Sequence, residues 1–275
     1  EAALDLAAME DFAKIRERLL EVDPDAVSGL GDAIVRERFL VRGIGGFEDG
    51  YLDRFADVTD AILDAYDEVF GFKEWSKVPG KKVRLRVHLE DEIQRPPHFA
   101  PQYPYHSEID MPVLNAATFT SPTSKGHMMF YGLCHEFGHL IAMWGDRRHE
   151  EDHHAWAHYT GVVIVEHMAK QETYREVMSG LRDVRWRSLS VERAKSENQV
   201  EPSADHKPAV MALLIQLHDL VGPARIGEAL NHMDQEEMGH RINRVRYYGF
   251  RDFEKALLAT VEDRDVRKQL GALFP

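Results

Sequence analysis

The chain has 275 residues, 44% apolar and 29% charged, with only 12 prolines, an ordinary globular composition long enough for a sizeable core. A formal net charge of −13 excludes a general nucleic-acid binder, which needs a basic face to neutralise phosphates. No run of about 18 apolar residues is present to span a membrane, and the single cysteine, Cys134, excludes an internal disulfide and a multi-cysteine zinc knuckle.

From the start, Leu4, Ala8, Phe12, Ile15 and Leu19 recur at helical spacing. Asp23-Pro24 reads as an N-cap with proline at the first helical position. A glycine cluster, Gly43 to Gly50, reads as loop. Leu52, Phe55, Ile62, Tyr66 and Val69 then mark a helix closed by Gly71, so the first seventy residues are expected to be mostly helical. The period changes at Val83, where Val83, Leu85, Val87 and Leu89 alternate with Arg84, Arg86 and His88 as in a half-buried strand with a solvated face. Prolines 96, 97, 101 and 104 predict a loop. Tyr105 to Met111 alternates again, and Pro112, which lacks a ladder donor, predicts that this is an edge strand.

Thr123 or Ser124 is placed to cap a helix running to Gly145, and a polar loop leads to a second helix from about His153 to Lys170. The remainder is helical in texture. The expected fold is therefore α+β and mostly helical, with a small mixed or antiparallel sheet packed on the Ser124 helix. Its expected parts are a helical region over 1–78, a core over 79–171 and a helical region over 172–275 that completes a cleft. The chain opens at Glu1 rather than at methionine, which implies a trimmed N-terminus and leaves the compartment open, exported or cytoplasmic.

The stretch "HEFGH" carries the chemistry. His135 and His139 are four residues apart, so a helix sets both imidazoles on one face, a suitable bite for a tetrahedral cation. Glu136 is rotated off that face by about 100°, within reach of a water at the metal without ligating the ion itself. Gly138 costs a helix roughly 1 kcal/mol relative to alanine, which makes sense where another backbone packs closely. Cys134 points away from the histidine face and reads as a small buried residue. Two histidines do not hold zinc, so a third ligand is required from downstream, where Glu150, Glu151, Asp152, His153, His154 and His158 cluster.

These residues resemble the HExxH zinc metallopeptidases, and the arrangement is similar to the gluzincin type, over roughly Val83 to Lys170. In that group a second helix supplies the third ligand within a pattern like E-G-x-A-x-Y. Here "HAWAHY" matches it at Ala157 and Tyr159, with His154 standing where the family has glutamate. The departure leaves His153 and Glu151 as alternatives behind His154. The metzincin pattern fails, because Ala142 and Gly145 occupy the positions that need glycine and histidine.

The resemblance implies a zinc cofactor, Glu136 as general base, and a peptide or protein substrate paired to the Tyr105–Met111 edge. It also implies a C-terminal donor for the oxyanion, for which His232, His240, Tyr247 and Tyr248 are eligible. The other readings are a catalytically silent peptide-binding module, which has no chemical use for Glu136, and a zinc amidohydrolase of a non-peptide substrate.

Overall fold

The computed structural model describes residues 33–72, 82–90, 98–102, 106–114, 124–142, 147–149, 153–175, 207–236, 238–242 and 245–274. The two N-terminal helical signals, before residue 33, lie outside these. The elements in order begin with β1 (Ala33–Val35), β2 (Phe39–Ile44) and α1 (Tyr51–Phe70). Next come β3 (Val83–Glu90), β4 (His98–Gln102), β5 (His106–Leu114), α2 (Ser124–Ala142), β6 (Arg147–His149) and α3 (His153–Met168). The C-terminal region holds α4 (Lys207–Val221), α5 (Pro223–Gln235), β7 (His240–Ile242), β8 (Val245–Tyr248), α6 (Phe250–Thr260) and α7 (Arg264–Leu273). The architecture is α+β, with a mixed five-stranded sheet in the order β1-β2-β3-β5-β4 and a second sheet in the order β6-β8-β7.

The helix α1 forms where Phe55, Val58, Ile62, Tyr66 and Val69 give a buried stripe at helical spacing. It ends as the sequence predicts: Gly71 takes the left-handed conformation at φ 66° and its N–H closes on the Asp67 carbonyl at 2.8 Å. The strand β3 also forms as expected, with Val83, Leu85 and Val87 inaccessible and Arg84 and Arg86 half-buried between them. Leu85 and Val87 register against Ile109 and Met111 of β5, so one face of the sheet is continuously apolar.

Three expectations are corrected. The region before Gly45 is not all helical, because β1 and β2 form an antiparallel pair there, with Phe39 and Val41 alternating into the core. The proline-rich segment is not all loop, since β4 runs through Pro101. Most consequential, the Tyr105–Met111 strand is not an edge: β5 is parallel to β3 on one side and antiparallel to β4 on the other. Among the described residues the β4 pairing runs no further than Asp110, so no described rung on that side needs a donor from Pro112. Among the described residues β4 is the edge on this side of the sheet, and it lies against α2.

Among its described residues the C-terminal region is helical apart from the β7–β8 pair, where a helical texture was expected. Tyr248 is buried there, on a strand. The strand β8 pairs in parallel with β6, the short strand between α2 and α3. One contiguous apolar core runs from Phe39 in β2 to Phe274 beyond α7, so the three parts expected from sequence share it. Trp156 of α3 meets Phe253 of α6 edge-on at 5.1 Å, which ties the C-terminal region to the centre of the molecule.

Candidate metal centre

Over 130–141 helix α2 is nearly enclosed. Phe130, Leu133, Cys134, Phe137, Leu140 and Ile141 are all buried, so the polar side chains of this stretch stand in apolar surroundings. Tyr66 of α1 fixes it from behind, its hydroxyl donating to the Cys134 carbonyl at 2.7 Å. Helix α3 packs against the other side at very short range. A Cβ on Gly138 would lie 2.8 Å from the Cα and carbonyl oxygen of Ala157, and closer still to the Thr160 hydroxyl. A Cβ on Gly161 would lie 3.3 Å from the His135 backbone. Small residues at crossing positions therefore set the helix separation, as the unfavourable Gly138 implies from sequence. The Thr160 hydroxyl is satisfied within its own helix, donating to the Trp156 carbonyl at 3.0 Å.

This close crossing faces the histidines of the two helices toward one another. The rings of His135 and His139 are 4.7 Å apart along α2, and His154 of α3 reaches across to within 4.6 Å of His139. One ligand nitrogen from each of His135, His139 and His154 lies within 4.8 Å of the other two. Three imidazoles this close can hold a metal ion, since nitrogen donors at about 2.0–2.1 Å from a tetrahedral centre need only a modest inward adjustment. His139 is buried, His135 half-buried and His154 exposed, so the cluster is closed on the α2 side and open on the α3 side. Glu136 is 4% exposed, with Oε2 4.0 Å from the Nε2 of His139.

The structure thus brings together His135, Glu136, His139 and His154. Cys134 is fully buried with its thiol pushed well up by desolvation, an inert core residue as the sequence suggests. Glu151 and the side chain of His153 lie outside the described residues. Of the C-terminal residues eligible as donors from sequence, Tyr247 and Tyr248 are carried by β8 beside the strand between the two histidine-bearing helices.

Sequence reasoning missed Tyr131. Its hydroxyl is 2.5 Å from Nδ1 of His158, and the His158 ring is in turn 4.3 Å from that of His135. The signal was available: Tyr131 is four residues before His135, which extends the same helical face by one turn. No protein-family model matches the chain, and no curated protein matches it either.

Proposed function

We propose that this chain is a zinc-dependent hydrolase of peptide bonds, with His135, His139 and His154 as metal ligands and Glu136 as general base. The observation that carries the reading is the three-imidazole cluster with a buried carboxylate beside it. Zinc is the ion favoured by three neutral nitrogen donors with room for a fourth, non-protein ligand. When bound, it supplies the Lewis acidity that polarises an amide carbonyl and lets water attack near neutral pH.

The remaining steps belong to the protein. Glu136 accepts a proton from the attacking water and delivers it to the leaving amine nitrogen, so one carboxylate serves as base and then as acid. Burial of Glu136 and His139 keeps bulk water from competing for that proton. The exposed side at His154 is the side from which substrate enters. Among the described residues the edge on that side of the sheet is β4 rather than β5, and it is there that an extended peptide would pair.

The experiment compares the zinc-loaded chain with Glu136→Gln on fluorescein-labelled casein. The amide keeps the size and hydrogen bonding of the carboxylate but cannot take the proton. Stoichiometric zinc should be retained by elemental analysis, with hydrolysis lowered by at least roughly 10². Equal activity in the variant would remove Glu136 from the role. A casein-inactive parent with full zinc would move the reading to a non-peptide amide.

A further inference from the structure

The second sheet carries a charge pattern that the proposed reaction does not use. Arg147 of β6 is in register with Arg246 of β8, and Arg246 is in register with Arg241 of β7. Positions directly opposite on neighbouring strands share a sheet face, so the three arginine positions form one row across β6-β8-β7. With strands about 4.8 Å apart, the row is about 10 Å long. The other register pairs of this sheet are Arg148–Tyr247, His149–Tyr248, His240–Tyr247 and Ile242–Val245, so no carboxylate is interleaved among them. Arginine keeps its charge at any working pH, and like charges directly opposite destabilise a sheet. Three in a row, in a chain of net charge −13, call for an anion.

Tyr248 fixes which face the row is on. It stands two positions from Arg246 along β8, hence on the same face, and it is 2% exposed. The row therefore continues the face that turns toward the core, where charges attract more strongly than in water. It is also tied to the histidine cluster by a short connection. Arg147 comes seven residues before His154, a reach of at most about 25 Å. His154 is the exposed member of that cluster.

We propose that the row Arg241, Arg246 and Arg147 is a subsite that selects acidic peptides, holding substrate carboxylates within about seven residues of the bond that is cut. This rests on the peptide-hydrolase reading above. Carboxylate is the anion a peptide brings, and the planar fork of arginine matches it in bidentate fashion. A row of about 10 Å accommodates two carboxylates at i and i+2 of an extended peptide, about 7 Å apart.

The test reads binding rather than turnover. The metal-free protein, kept in EDTA so that nothing is cut, is titrated into fluorescein-labelled short peptides and followed by fluorescence polarisation. One peptide alternates Glu with Ala, the other Gln with Ala. The parent should prefer the Glu peptide by about tenfold or more, and added salt should narrow the difference. Arg246→Gln removes the middle of the row and should abolish the preference while leaving the Gln peptide bound as before. Arg246→Lys keeps the charge without the fork and should fall between the two, which a merely structural role for the arginine would not give. Should Arg246→Gln fail to fold, Arg147→Gln and Arg241→Gln remove the two ends and should each reduce the preference.

Equal binding of the two peptides by the parent, or a preference unchanged in all three glutamine variants, would overturn the proposal. So would an oligothymidylate that binds the row more tightly than the Glu peptide, since that would assign it to phosphate. A selective Glu-peptide complex in a protein whose zinc-loaded form leaves both casein and the Glu peptide intact would end the hydrolase reading and keep the arginine row as a binding site.

Discussion

In the proposed site His154 and His139 would serve one ion from opposite environments, and substitution should separate their roles. His139 is 3% exposed inside α2, so His139→Ala removes a ligand and also leaves a void among packed side chains. His154 is exposed at the start of α3 and fills no core space. His154→Ala should therefore abolish tight zinc binding yet leave the unfolding free energy of the metal-free protein, from urea titration, within about 0.5 kcal/mol of the parent. His153→Ala should have little effect on zinc, because a residue one position away is rotated by about 100° on the helix. Chelator competition and denaturant titration of the three variants check both halves, and a dominant His153 would shift the ligand assignment by one residue. At this scale the sequence was legible where the spacing is rigid. His135, Glu136 and His139 lie in a single turn, so no tertiary information was needed to relate them. Tyr131 was not legible, because its importance depends on which residue of α3 arrives opposite it.

Between elements, the separation of α2 and α3 governs whether the ligands converge, and two glycines test it unequally. Gly138→Ala would place a methyl group 2.8 Å from the Ala157 backbone, an atom that cannot swing aside. Overpacking of this kind costs about 1–3 kcal/mol, against roughly 1 kcal/mol gained from helix propensity. The variant should be destabilised and should bind zinc more weakly, since the helices must part. Gly161→Ala meets the His135 backbone at 3.3 Å and should do less harm on both measures. Urea midpoints and zinc affinities of the two variants give the comparison, and equal effects would show that the crossing does not set the site. The sheet was less legible than the helices. Alternation marks β3 and β5 as strands but carries no record of their neighbours, and Pro112 pointed to an edge that β4 in fact provides. The two strands β1 and β2 were overlooked because Phe39 and Val41 offer only one full alternation before Gly43.

At the scale of the whole molecule, a metal held as proposed would be coupled to the core, because both histidine-bearing helices lie within one apolar core among the described residues. An ion that binds only the folded chain adds RT ln(1 + [L]/Kd), about 4 kcal/mol at a thousandfold excess over Kd. Zinc should raise the melting temperature in a concentration-dependent way, and EDTA should reverse it. The same addition to His139→Ala should give no shift, and a shift there would mean that the ion binds elsewhere. The α+β class and the helical C-terminal region were legible from period alone, whereas the pairing of β6 with β8, roughly a hundred residues apart, was not. That difference in reach has a kinetic side. His135 and His154 are only nineteen positions apart, on two helices joined by a short connection. Closing so small a loop is fast, while the second sheet must wait for its distant strand and the entropy that loss of chain freedom entails. The paired helices are thus expected to form ahead of β8, offering zinc a landing place in a chain still largely open. Stopped-flow refolding should then be accelerated by zinc, rather than only unfolding being slowed.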